Sequence, residues 1–201
     1  MDGTGKIVLS RSRMIACFMI IEWYKVCTCQ AARIQMYNKE KIDVVRNAMI
    51  HLRETVSVSE SVTSGHLQAA FSSAEEASRF FQGGITTYNV GQKSRHLHVE
   101  PIYALSCNGV AQRVADEMAV YSNTLFSSHW AIGITGYAAP VPELKIHEMF
   151  AFFSIAYKKQ LVVTGKLKAN HSNSVDVQIF YTNEVIKAFA NFLTEDRILF
   201  A

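Results

Sequence analysis

Ile42, Val45, Met49 and Leu52 recur at three- and four-residue spacing, so the first strongly amphipathic stretch of the chain reads as a helix over 39–53 whose apolar stripe needs a sheet to cover. The period then drops to two. Over 55–61, Val56 and Val58 alternate with Ser57, Ser59 and Ser61, the pattern of a strand with one polar face, and Ser61 falls at its C-terminal end. Short helices over 65–71 and 74–81, a strand over 84–88, and a longer helix over 110–126 with Val114, Met118, Tyr121 and Leu125 inward come next. Strands over 130–135, 149–157 and 161–167 and a final helix over 174–193 complete the series. Helices interleaved with strands predict an α/β layered domain, and no internal repeat or low-complexity linker requires a second one.

The first 35 residues differ in character from the rest of the chain. Lys6, Arg11 and Arg13 precede the apolar run 14–21, which is too short to span a bilayer and is closed by Glu22, Trp23, Tyr24 and Lys25. Its charge-then-apolar order resembles a signal peptide, but a clean small-x-small cleavage site is missing. A blander reading is preferred, in which Met36 opens the folded domain, 36–201, and residues 1–35 are a dispensable extension. With 49% hydrophobic and 18% charged residues in 201, a sizeable core is expected and disorder is not. The net charge of +3 is spread without a basic block, which argues against nucleic-acid binding. Cys17, Cys27, Cys29 and Cys107 form no C-x-x-C pair, so neither a zinc nor a redox site is indicated, and the usage fits a reducing cytoplasm. No membrane association is expected, and the sequence leaves self-association open.

In α/β sheets, ligands tend to bind beyond the carboxyl ends of strands, where loops feed helix N-termini. Three segments have that character: Ser59 to Gly65, the stretch "GGITTYNVGQK" with Asn89, Gly91 and Lys93, and "GITGYAAP" with Thr135 and Gly136. Exposed helix amides with neighbouring hydroxyls and a lysine suit a phosphate or the oxyanion of an acyl transfer. Each residue also has a plainer reading. Ser61 or Thr63 serves as a helix N-cap, Tyr88 and Thr135 as ordinary strand residues, and Lys93 as a solvated helix lysine. His96 and His98 are two apart, which suits one face of a strand, and have no acidic or cysteine neighbour at ligand spacing, so a metal site is not expected. Glu60, in the register opposite to Ser61, reads as a pocket support rather than a base.

Four segments together resemble a known family. "SESVTSGHL" resembles the A-E-S-C-T-G-G signature of the CinA C-terminal domain family, the nicotinamide-nucleotide amidases. "FFQGGITTYNVGQK", "NGVAQRVADEMA" and "ITGYAAP" are similar to its later motifs, in the family's order. The resemblance implies a three-layer α/β/α domain with a mixed central sheet, standing without the larger N-terminal domain of longer CinA proteins. It implies hydrolysis of the carboxamide of nicotinamide mononucleotide to ammonia and nicotinate mononucleotide, a step of pyridine-nucleotide salvage, with no metal and no cofactor. Carried over by position, Ser61 would be the nucleophile, Tyr88 and Lys93 would lie close to it, and Thr135 would line the same pocket. Glu60, Thr63, Ser64, Gly65, Asn89 and Gly136 are the matching substrate-binding positions.

Those residue types suit the chemistry. A serine hydroxyl needs a base to take its proton as it attacks, a lysine among apolar neighbours can be that base, and a tyrosine can relay the proton. The oxyanion needs amide donors, which the turn from Thr63 to His66 is placed to supply, worth roughly 3 kcal/mol for one well-aimed donor. The departures point the other way. Val62 replaces the family cysteine, Ser64 a glycine, Ala111 a helix-capping serine and Ala139 a glycine. The arginine that the family tends to carry near the start of its last helix is missing, so Lys166, Lys168 or His171 must substitute if it holds the phosphate. The alternative function is therefore a weak or inactive nucleotide-binding module on the same scaffold.

Overall fold

The computed structural model describes residues 36–171 and 173–195, so the expectations about the leader-like run, the dispensable extension, Cys17, Cys27 and Cys29 lie outside the described residues. The chain runs α1 (Lys39–Leu52), β1 (Val56–Glu60), α2 (His66–Ser72), a 3₁₀ turn (Ala77–Arg79), β2 (Phe81–Thr86), α3 (Val90–Leu97), α4 (Pro101–Ser106) and α5 (Gln112–Phe126). It continues through β3 (Trp130–Gly136), a second 3₁₀ turn (Pro142–Leu144), β4 (Met149–Tyr157), β5 (Gln160–Ala169) and α6 (Ser174–Glu195). The five strands form one mixed sheet in the order β2-β1-β3-β4-β5. β1 is parallel to both neighbours, with Glu60 opposite Thr86 on one side and Ile134 on the other, while β4 and β5 join antiparallel.

Helices cover both faces, as an α/β sheet with buried central strands requires. α1, α2 and α6 pack together over one face, where Val45, Met49, Leu67, Phe71, Tyr181 and Phe189 belong to the main core. α5 lies across the other, and Leu97, Val99, Ala104, Val114 and Met118 form a second core between it and α3 and α4. Among the described residues, no helix is long and apolar enough to cross a membrane.

Several expectations need correction. The polar face of β1 does not meet water: all five residues are buried, because α5 packs on it. Its hydroxyls are satisfied there. Ser57 Oγ bonds Ser122 Oγ at 3.0 Å and Ser128 Oγ at 2.8 Å, and Ser59 Oγ donates to Met118 O at 3.0 Å. No helix spans 74–81; after one 3₁₀ turn, Phe81 already pairs with Val56, so β2 begins and ends earlier than the alternation suggests. On α5, Val114 and Met118 point inward, but Tyr121 and Leu125 are 37% and 49% exposed, and the buried stripe runs instead through Ala115, Ala119 and Ser122. Leu52 is likewise exposed at the end of α1.

Small residues at 115, 119 and 133 let α5 approach β3 closely. A Cβ on Gly133 would run into the Ala115 carbonyl and the Ala119 amide, both backbone atoms that cannot swing aside. Gly133→Ala is therefore expected to cost about 2–3 kcal/mol through overpacking. In a thermal melt of the purified chain that is a drop of roughly 4–12 °C; an unchanged midpoint would show that the helix shifts freely.

Candidate active site

The carboxyl ends of the parallel strands β1, β2 and β3 lie at one edge of the sheet, and β1 is where the chain reverses direction across it. Connections leaving such a point pass over opposite faces and open a crevice between them. Ser61 follows β1, Tyr88 follows β2, and Gly136 ends β3. All three line one cavity of about 750 Å³, within the usual range for small-molecule sites.

Lys93 reaches the crevice from the first turn of α3. Asn89 caps that helix, its side chain accepting from Gln92 N at 2.9 Å, and Lys93 N donates to Asn89 O at 3.0 Å. The lysine side chain is only 2% exposed. Its Nζ donates to Ser61 Oγ at 2.8 Å, to Thr87 O at 3.1 Å and to Tyr88 O at 3.3 Å. Two backbone carbonyls thus hold two of the ammonium protons, and the third direction belongs to Ser61. Burial lowers the lysine pKa from 10.5 to about 8, because the charged form loses its hydration. At pH 7.5 roughly a quarter of the side chain is then neutral, against about a tenth of a percent for an ordinary lysine. In the neutral amine, the two carbonyls keep two N–H groups engaged and the lone pair faces the serine hydroxyl.

Glu60 lies directly behind the serine, fully buried at the end of β1. Its carboxylate accepts from the amides of Gly65 at 3.1 Å, Leu67 at 3.0 Å and Gln68 at 2.9 Å, so it holds the N-terminus of α2. Gly65 takes φ +99°, which favours glycine and lets the chain turn into the helix over the carboxylate. Glu60→Ala would leave three amides without their acceptor. We expect a loss of about 3 kcal/mol or more in urea unfolding, with Glu60→Gln recovering part of it; a loss below about 1 kcal/mol would show that water replaces the carboxylate at no cost.

That turn corrects the expected oxyanion donors. The Ser64 amide donates to Ser61 O, the His66 amide to Thr63 O and the Gly65 amide to Glu60. Val62 and Thr63 retain amides without a protein acceptor among the described residues, and Val62 lines the cavity.

The other expected positions divide. Ser64, at φ +51° where the family has glycine, lines the cavity, as do Asn89 and Gly136, although the Asn89 side chain is occupied in its cap. Tyr88 meets Lys93 through its carbonyl, not its phenol; the side chain is 79% exposed at the rim. Thr135 is fully buried, its hydroxyl donating to Gly109 O at 2.7 Å, so it fixes the loop between α4 and α5 rather than touching the cavity. Glu60, Thr63 and Gly65 also stand behind the wall. His96 and His98 lie at the end of a helix, not a strand: His96 Nε2 bonds Gln92 Oε1 at 3.0 Å, and the His98 ring packs at a tilt against Tyr121, centroids 5.1 Å apart. Ala111 precedes α5 without a side-chain cap, and Asn108 does not replace it; its Nδ2 donates to Tyr137 OH at 3.2 Å.

Asn108, Tyr137, Ser174 and Gln178 complete the cavity, and sequence reasoning does not reach them as site residues. The left-handed Asn108-Gly109 turn is a usable signal for the first, since asparagine and glycine tolerate that conformation. Ser174 and Gln178 carry no such mark; only the packing of α6 brings them there.

A family model for the CinA C-terminal domain matches residues 38–191. The chain belongs to the CinA C-terminal domain family. A CinA-like protein of Prochlorococcus marinus is 44% identical over 88 residues, covering 43% of this chain and 21% of that protein. A putative competence-damage inducible protein of Streptococcus equi subsp. zooepidemicus is 36% identical over 130 residues, 64% of this chain and 30% of that one. The chain thus spans less than a third of the length of these curated relatives. Among solved structures, the CinA superfamily protein of Klebsiella pneumoniae superposes with a TM-score of 0.73 at 23% identity, covering 78% of this chain and 97% of that one. The competence/damage inducible protein CihA of Agrobacterium tumefaciens gives 0.69 at 17% identity, covering 78% and 95%. At such identity these structures speak for the fold: CinA-type layers of helices on a mixed sheet.

Proposed function

We propose that this cavity is the active site of a serine-type amidohydrolase that deamidates nicotinamide mononucleotide, or a closely related small carboxamide, within cytoplasmic pyridine-nucleotide salvage. The observation that carries the reading is the contact between Ser61 Oγ and Lys93 Nζ at 2.8 Å, with the lysine buried and its pKa brought down to about 8. A structural lysine gains nothing from such desolvation, whereas a general base working near neutral pH requires it.

Neutral Lys93 takes the Ser61 proton as Oγ bonds to the amide carbon. The oxyanion that forms is held by the amide of Val62, which lies next to the nucleophile on the cavity wall and has no protein acceptor among the described residues. Lys93 then returns its proton to the departing nitrogen, the C–N bond breaks, and ammonia leaves an acyl-serine. Water attacks that ester with Lys93 again accepting the proton; Lys93 passes it to Ser61 Oγ as the ester C–O bond breaks, and the acid product leaves as a carboxylate after losing its own proton to solvent.

The test is ammonia release from nicotinamide mononucleotide by the full chain, with product identified as the acid. Turnover that depends on Ser61 supports the amidase. Binding without turnover would favour the nucleotide-binding module, a reading to which the changed turn at Ser64 lends its weight.

A further inference from the structure

The charges around the cavity narrow the substrate beyond its amide. Among the described residues that line it, Lys93 is the only one with a basic or acidic side chain other than tyrosine, and Lys93 must be neutral to accept a proton. The cations nominated by sequence as phosphate partners are placed elsewhere. Lys166 Nζ sits over the Phe150 and Phe152 rings at 4.4 and 5.2 Å, Lys168 Nζ pairs with Glu148 at 2.8 Å, and His171 packs on Phe180 at 5.2 Å. None of the three lines the cavity. Helix α6 presents the neutral Ser174 and Gln178 instead. Its first turn carries Asp176, and Asn173 already accepts from the amides of Val175 and Val177, so this helix end offers little to an anion.

Aromatic surface is available. Tyr88 exposes its ring at the rim, and Tyr137 is held by Asn108 and by an edge contact with Phe150 at 5.5 Å. Rings of this kind attract a flat aromatic cation such as a pyridinium. A phosphate dianion in the same crevice would lose hydration without gaining a counter-charge from the described residues that line it, and its field would favour the ammonium form of Lys93.

We infer that the cavity selects an aromatic carboxamide without a phosphate tail, such as the nicotinamide nucleoside, over the phosphorylated nucleotide. This rests on Ser61 and Lys93 being the reacting pair, and it replaces the phosphate with the ring as the principal handle. Gln178, on the wall contributed by α6, is the specificity-determining position.

The test separates binding from chemistry. The 201-residue Ser61→Ala chain is titrated calorimetrically with nicotinamide riboside and with nicotinamide mononucleotide at one pH and ionic strength. The riboside is expected to bind more tightly, and Gln178→Arg in the same background to shift the ratio toward the nucleotide by tenfold or more. A nucleotide that binds as tightly as the riboside, or tighter, without that change would overturn the inference, as would failure of both ligands to bind. Ammonia release by the unsubstituted chain reports on the amidase reading separately: no turnover of either amide, with the riboside still preferred in binding, would sink the reaction and leave the selectivity standing.

Discussion

Ser61→Ala is expected to abolish ammonia release, lowering kcat by at least about 10⁴-fold while leaving the chain folded. The side chain is small and the residue only 6% exposed, so loss of one oxygen creates almost no cavity. Its removal breaks the contact from Lys93 but leaves the lysine both carbonyl acceptors, Thr87 O and Tyr88 O. A drop of 10⁴ corresponds to about 5.5 kcal/mol of transition-state stabilisation, far more than one lost hydrogen bond supplies. Retention of more than about a tenth of the rate, measured by coupled ammonia assay with the melt unchanged, would mean that a water or another group performs the attack.

Lys93→Met should separate catalysis from stability. A neutral, buried thioether cannot accept a proton, so turnover falls by about 10³-fold or more. For the unsubstituted chain, kcat/KM should rise with pH through about 8 and then level, since neutral lysine is the active form. The stability effect has the opposite sign at neutral pH. The folded-state pKa lies below the unfolded value, so the unfolded chain binds more protons between pH 8 and 10.5, and native stability rises across that window. Below pH 8 the full cost of burying the charge is present, about 3 kcal/mol. Methionine removes that cost but leaves two carbonyls and a hydroxyl without their donor, which offsets part of the gain. A net increase of about 1–2 kcal/mol at pH 7, shrinking and reversing near pH 10.5, is expected from urea melts at the two pH values. Destabilisation by more than about 2 kcal/mol at pH 7 would show that the ammonium, as donor to three acceptors, holds the loop together.

The same lysine explains what could and could not be read from the sequence. α1 and β1 were legible because Ile42, Val45 and Met49 keep a helical period and Val56 and Val58 a strand period. α3 gave no such signal, since its inward positions are Lys93 and Leu97 and a charged residue stands where an apolar one would mark the stripe. A local rule fails there because the inward position is filled by a buried amine held by two carbonyls and a hydroxyl, not by an apolar side chain. Glu60 was legible in part: its register marks it as a support and not a base, but what it supports emerges only when the amides of residues 65, 67 and 68 converge on it, and that convergence depends on a glycine turn. The return of 74–81 to the sheet was hidden because Phe80 and Phe81 continue an apolar spacing that suits a helix, while strand pairing with Val56 decides the outcome.

The Ser61–Lys93 contact and the wall opposite it also differ in when they become available. Ser61 and Lys93 are 32 residues apart and belong to one continuous run of β1, α2, β2 and α3, whereas Ser174 and Gln178 arrive with the last helix. A chain emerging from the ribosome therefore presents Ser61 and Lys93 well before α6 exists to add its wall to the cavity. Until that helix docks, Ser61 stands beside an open surface, and the same late step that seals the main core also brings Ser174 and Gln178 into place.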